Sequence, residues 1–182
     1  SLKDSPVSSL LPLQHLKNLN ALAFDSCALN NTHLEELWKA SFSLTAFALI
    51  NISVDKDLYN KVDADKLYVL VSRHPALHRL GLMDLGIDIN PANLAGAPQL
   101  ADPPCRKEFH LSGNHIIALD GLSLLYDAVF MDFSLCNITD EVLAQGDWRG
   151  LTCLSQRLDL SANAITDIAP LLGLATIKRH VT

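Results

Sequence analysis

An α/β fold, in which a recurring apolar frame alternates with helical segments, is what this 182-residue sequence predicts. Three observations lead there. The stretch LDLSANAITDI, Leu158 to Ile168, sets apolar residues in a fixed frame, and that frame recurs along the chain. Between the recurrences lie longer segments that carry helix-start signals. Aromatics are 6% of the chain against 49% hydrophobic residues, so the interior must be filled by Leu, Ile, Val and Ala, which suits thin stacked layers.

The frame reads apolar, two free, apolar, one free, apolar, two free, Asn or Cys, one free, apolar. Leu158, Leu160, Asn163 and Ile165 fill its later places in the stretch above. Leu19, Leu22, Phe24, Cys27 and Leu29 fit it, as do Leu77, Leu80, Leu82, Leu85 and Ile87. Phe109, Leu111, Asn114 and Ile116 follow Arg106 at the first place, and Met131, Phe133, Cys136 and Ile138 follow Ala128. A looser match runs through Leu44, Phe47, Leu49, Ile52 and Val54.

Together these matches resemble the leucine-rich-repeat family. The resemblance implies one domain over residues 1–182, of about six repeats, standing alone or within a larger protein. It implies a right-handed solenoid with a parallel β-sheet on its concave side and helical or 3₁₀ returns on its convex side. Ile52 and Leu85 depart from the family pattern, so their turns are expected to lack the side-chain ladder that Asn or Cys makes to the backbone.

The ninth places, Cys27, Ile52, Leu85, Asn114, Cys136 and Asn163, lie 25, 33, 29, 22 and 27 residues apart. The longer steps resemble the ribonuclease-inhibitor class, whose returns are full helices. The 22-residue step resembles the short repeats of internalin-type and phosphatase-regulator proteins. Ile116, Leu119, Leu122 and Leu125 recur every third residue, as do Ile165, Ile168, Leu171 and Leu174, and that period fits a 3₁₀ return. Thr32 with Glu35 predicts a capping box at the start of a helix. Asp63 or Asp65 opens a second helix that ends at His74, because Pro75 follows. Thr139 or Asp140 starts a shorter one in TDEVLAQ, and NPANLAGAPQLADPP predicts a short helix followed by an irregular loop.

Stacking such strands about 4.8 Å apart aligns equivalent free places into rows across one face. One row is Ala23, Ala48, Gly81, His110, Asp132 and Asp159; the other is Ala21, Ala46, Arg79, Glu108, Phe130 and Arg157. The first half of the face is small and apolar, the second charged around one aromatic. The candidate partner-binding residues are therefore Arg79, Glu108, His110, Phe130, Asp132, Arg157 and Asp159. Phe130 covered by a partner would contribute on the order of 1.5–3 kcal/mol. A slip of the frame in AVFMDFSL, where Val129 and Leu135 are also apolar, would instead put the ring in the core. Asp132 and Asp159, as row neighbours, should repel unless Arg157 or a partner's cation intervenes.

The net charge of -6 and the dispersed Lys and Arg residues argue against nucleic acid as partner. No apolar run approaches the ~18 residues of a membrane span. Pro12, Gln14 and His15 interrupt the apolar opening, so it lacks a secretory h-region. Cys27, Cys105, Cys136 and Cys153 show neither a C-x-x-C pair nor framework spacing, and reduced cysteines in the cytoplasm are expected. The N-x-S/T triplets at Asn30, Asn51 and Asn137 keep a secreted or extracellular setting as the alternative.

No G-x-S-x-G, H-E-x-x-H or Gly-rich phosphate loop is present. His74 and His78 are four residues apart, but Pro75 between them breaks any shared helical face. His110, Glu108 and Asp132 form the one His-carboxylate cluster, which makes a metal-dependent enzyme the less favoured alternative. The family resemblance implies a non-catalytic module, without cofactor, that binds a protein or peptide on its concave face. A self-associating segment is the other alternative, since KRHVT follows the last frame without a polar cap.

Overall fold

The computed structural model describes residues 1–39, 42–52, 63–95 and 105–174. The strands are β1 (Leu2–Lys3), β2 (Ala21–Asp25), β3 (Ala46–Ile50), β4 (Arg79–Met83), β5 (Asp88–Ile89), β6 (Lys107–His110), β7 (His115–Ile116), β8 (Ala128–Asp132) and β9 (Arg157–Asp159). Seven of them form an open parallel sheet in the order β1-β2-β3-β4-β6-β8-β9, while β5 and β7 pair separately. Among the described residues the returns hold three α-helices, α1 (Asn31–Trp38), α2 (Ala64–Ser72) and α3 (Asp140–Ala144). Single 3₁₀ turns occur at Leu11–His15, Pro91–Leu94, Leu122–Leu125, Trp148–Gly150 and Ala169–Gly173. The class is α/β around a parallel sheet. Two of the 3₁₀ turns fall in the segments with an every-third apolar spacing, after Asn114 and after Asn163.

One sheet face is the core. Leu22, Phe24, Phe47, Leu49, Leu80, Leu82, Phe109, Met131 and Leu158 point to it and are buried. The returns supply the other side of the same cluster, with Leu34 and Leu37 from α1, Leu67 and Leu70 from α2, then Leu122, Leu125, Leu143 and Trp148. Each fully buried Leu or Phe contributes roughly 1.5–3 kcal/mol, so a thin aliphatic layer repeated along the sheet replaces one bulky centre.

A backbone device sits at the exit of each strand of the seven-stranded sheet. The residue before each ninth place is left-handed: Ser26, Asn51, Asp84, Gly113, Leu135 and Ala162 have φ of 53°, 45°, 54°, 71°, 55° and 56°. Each of the first five donates its N–H to the residue just before its counterpart on the next strand. These bonds are Ser26 to Ile50, Asn51 to Met83, Asp84 to Ser112, Gly113 to Ser134 and Leu135 to Ser161, at 2.9–3.1 Å. Gly113 is the crowded member: a Cβ there would lie 2.0 Å from Asp84 Oδ1, so glycine serves both the dihedral and the contact. The ladder runs unbroken through the Ile52 and Leu85 turns. Asp4, with φ 47°, donates in the same way to Asp25 and marks a rung at β1 that the sequence frame misses.

The side-chain ladder is present where Asn or Cys occupies the ninth place. Asn114 Nδ2 donates to the Leu82 and Leu111 carbonyls (2.6 and 2.8 Å), and its Oδ1 accepts from Ile87 N–H at 3.4 Å. Asn163 repeats this with the Phe133 and Leu160 carbonyls and with the Cys136 and Ile138 amides. Cys136 donates its S–H to the Leu111 and Ser134 carbonyls, and burial pushes its thiol pKa up to about 11, which keeps it a neutral donor. Ile52 is buried and Leu85 half-buried, and neither side chain can join the ladder.

Several local expectations need correction. The cap of α1 is Asn30: its Oδ1 accepts from His33 N–H at 3.2 Å, and His33 Nδ1 accepts from Asn30 N–H at 3.1 Å. The box is thus offset by two residues from Thr32 and Glu35, and Glu35 instead pairs with Lys66 of α2. Asp63 caps α2 through Asp65 N–H, and Thr139 caps α3 through Val142 N–H. Val54, the loop over 96–104 and the KRHVT terminus lie outside the described residues.

The cysteine expectation is also overturned in part. Cys105 and Cys153 form a disulfide with Cα atoms 5.3 Å apart, whereas Cys27 and Cys136 are free and buried. Cys105 precedes β6 and Cys153 precedes β9, so the bond crosses the entry side of β8. Spacing along the chain, 48 residues, gives no hint of it, because parallel stacking brings the two together. Among the described residues no helix is long and apolar enough to cross a membrane.

His74, just beyond α2, is buried, stacks on Phe42 at 6.1 Å and accepts Leu44 N–H on Nδ1 at 3.3 Å. Burial, helped by the charge of Arg73, holds its pKa below the ordinary value. The unfolded chain gains a proton near pH 6.5, which the folded site resists, so this contribution is full above that pH. It is lost as pH falls from there through the lowered folded value. Melting temperature should therefore decline as pH falls below about 6.5, and less steeply in His74→Asn, whose amide oxygen can accept Leu44 N–H.

Candidate functional site on the open sheet face

The face opposite the core carries the two rows in the predicted register. Ala21, Ala46, Arg79, Glu108, Phe130 and Arg157 pair in succession, as do Ala23, Ala48, Gly81, His110, Asp132 and Asp159. All seven candidate residues thus lie on one face, and they divide into groups.

Arg79 and Glu108 form a two-pronged pair, Nε to Oε2 at 2.7 Å and Nη2 to Oε1 at 3.1 Å. The Arg79 guanidinium holds the Glu108 carboxyl below the usual range despite partial burial. His110 Nε2 reaches Glu108 Oε2 at 3.5 Å, and its ring lies 4.6 Å from that of Phe130. Phe130 itself is half-buried on the face while Met131 fills the core. The frame does not slip at Phe130. A bulge instead absorbs the extra apolar residue: Lys107 pairs with Ala128 and Glu108 with Phe130, leaving Val129 between.

Of the two ways to relieve the aspartates, the structure shows the internal one. Asp159 is 6% exposed, pairs with Arg157 and accepts Ser161 N–H at 2.9 Å. Burial alone would raise its pKa, but Ser161 and Arg157 outweigh it and hold the carboxyl below the usual range. Asp132 accepts Ser134 N–H and hydroxyl at 3.0 and 2.7 Å. Both therefore anchor the turns that follow their strands, and the cation that relieves Asp159 is Arg157 rather than a partner's. Glu108, committed to Arg79, and Asp132, committed to Ser134, do not converge with His110 on a common point. Among the described residues no three His, Cys, Asp or Glu side chains gather in a metal-binding arrangement.

What the charged candidates leave open lies beside them. Ala21, Ala23, Ala46, Ala48 and Gly81, on three adjacent strands, form the floor of an open depression of about 520 Å³, edged by Met83, Arg79, Glu108 and His110. Gly81 approaches Ala48 so closely that a Cβ on it would sit 3.1 Å from the Ala48 Cβ. The wall arises where side chains lengthen, from Ala46 to Arg79 to Glu108 in one row and from Gly81 to His110 in the other. These floor residues were legible as small members of the rows, but a candidate set chosen for charge and aromaticity passes over them. Its volume falls in the range of sites that accept a compact apolar group, roughly 300–1,000 Å³.

No protein-family model matches the chain, and no curated protein matches it. The site's own geometry is a mostly apolar hollow, the His110 ring at its edge, and two arginines each paired to a carboxylate within the face.

Proposed function

We propose that the chain is a leucine-rich-repeat solenoid whose concave sheet face binds a protein or peptide partner without turnover. The observation that carries this is a parallel sheet with one face left open by the described residues. Such sheets are ordinarily covered on both sides, and here the other side holds a hollow of alanines and glycine edged by His110, whose ring meets that of Phe130. An apolar side chain from the partner fills the hollow while Phe130 and His110 pack along its flank. The Arg79–Glu108 pair borders this contact and orients the partner's polar groups. The Cys105–Cys153 disulfide supports an oxidising compartment over the cytoplasm.

The test is a peptide selected on the wild-type protein from a random display library, with its affinity then measured by titration calorimetry. Ala48→Trp, which fills the hollow, should weaken it about 10–100-fold, the equivalent of losing one apolar anchor. Phe130→Ala should weaken it less, with the circular dichroism of both variants unchanged. Undiminished affinity in both would move the binding site off this face.

A further inference from the structure

We propose that Asn137 is an N-glycan acceptor, the glycan standing at the rim of the sheet and leaving its open face clear. This rests on the oxidising-compartment reading. Asn137, Ile138 and Thr139 form an N-x-T triplet in the turn beyond the C-terminal end of β8. Asn137 is exposed, its backbone is left-handed with φ 55°, and its side chain makes no hydrogen bond among the described residues. An acceptor on a surface turn can carry a bulky polar group without desolvating anything.

The other two triplets are occupied differently. Asn30 is half-buried and its Oδ1 caps α1. Asn51 donates the amide nitrogen itself to Ser26 Oγ at 3.3 Å. At Asn137 the nitrogen is unengaged, and the neighbours on either side hold the turn without it: Asn163 Oδ1 accepts both Cys136 N–H and Ile138 N–H. Thr139 caps α3 through Oγ1 as an acceptor, and its hydroxyl also meets the Glu141 carboxylate.

The donor class is an oligosaccharide on a lipid diphosphate. Asn137 Nδ2 forms a bond to the anomeric carbon, the bond from that carbon to the diphosphate oxygen breaks, and the lipid diphosphate leaves with the electron pair. One amide proton passes to a base of the transferase. The disulfide is the independent observation that favours an oxidising compartment, the secretory route among them.

The test directs the full chain through the secretory route of a glycosylating cell and reads intact mass, the site by peptide mapping after amidase release, and free thiols under denaturant. The expected result is a glycan on Asn137 with two titratable thiols, those of Cys27 and Cys136. Asn137→Asp, which tolerates the left-handed turn, and Thr139→Ala should each remove it, while Thr139→Ser retains it. An unmodified Asn137 peptide, from cells that glycosylate a control protein, overturns the proposal. Four free thiols would instead overturn the compartment reading on which it rests.

Discussion

Replacing Cys105 and Cys153 together by alanine should lower the melting temperature by roughly 8–16 °C. The bond closes a loop of 48 residues, and the loss of chain entropy on cross-linking a loop of that length amounts to about 4 kcal/mol. For a domain of this size each kcal/mol shifts the midpoint by roughly 2–4 °C. The bond also joins the entries of β6 and β9 across β8, so the strands carrying Glu108, His110, Phe130 and Arg157 should loosen together. Hydrogen exchange on these strands, compared in oxidised and reduced protein, checks the location of the effect. A midpoint unchanged by reductant would show that strand stacking alone fixes this end of the sheet.

Asn114→Ala should cost on the order of 3–5 kcal/mol. Asn114 is 3% exposed, and its amide meets the Leu82 and Leu111 carbonyls and the Ile87 amide. Truncation leaves these groups buried without a partner, each at about 1–3 kcal/mol, in a space too confined for free solvation. Asn114→Cys should recover part of the loss, since Cys136 at the equivalent place donates to two carbonyls. Asn163→Ala removes the same kind of bonds where the side chain is half-buried, so its cost should be smaller. Chemical denaturation of the three variants gives the order directly. Equal costs for Asn114→Ala and Asn114→Cys would mean that shape rather than hydrogen bonding holds the turn.

The strands and their register were legible because alternation within a strand and recurrence between strands are both written in side-chain polarity. Ala46 opposite Arg79, or His110 opposite Asp132, follows from the frame alone. The left-handed residues before each ninth place were not legible, since Ser26, Asn51, Asp84, Leu135 and Ala162 carry no common side-chain signal. Their conformation is imposed by the amide each must present to the next strand. The disulfide was hidden for a related reason: proximity of Cys105 and Cys153 is a product of stacking order. At the site, sequence points to groups that are present, whereas the hollow over Ala48 and Gly81 is made by side chains that are missing. Asp159 shows a choice that the rows leave open: Arg157 or a partner's cation could meet its charge, and its own turn and Arg157 engage it.

The left-handed exits make the joints between successive strands alike. Excising one whole period, from the residue after Gly113 through Leu135, would join backbones that leave their strands at φ 71° and 55° and donate in the same sense to the strand alongside. Recombination between such joints shortens or lengthens the face without redesigning any turn. A single residue inserted inside a strand, where no bulge absorbs it as at Val129 in β8, has the contrary effect, exchanging core side for outer side. The architecture therefore admits change in the reach of its binding surface in whole-rung quanta, and resists it in smaller ones.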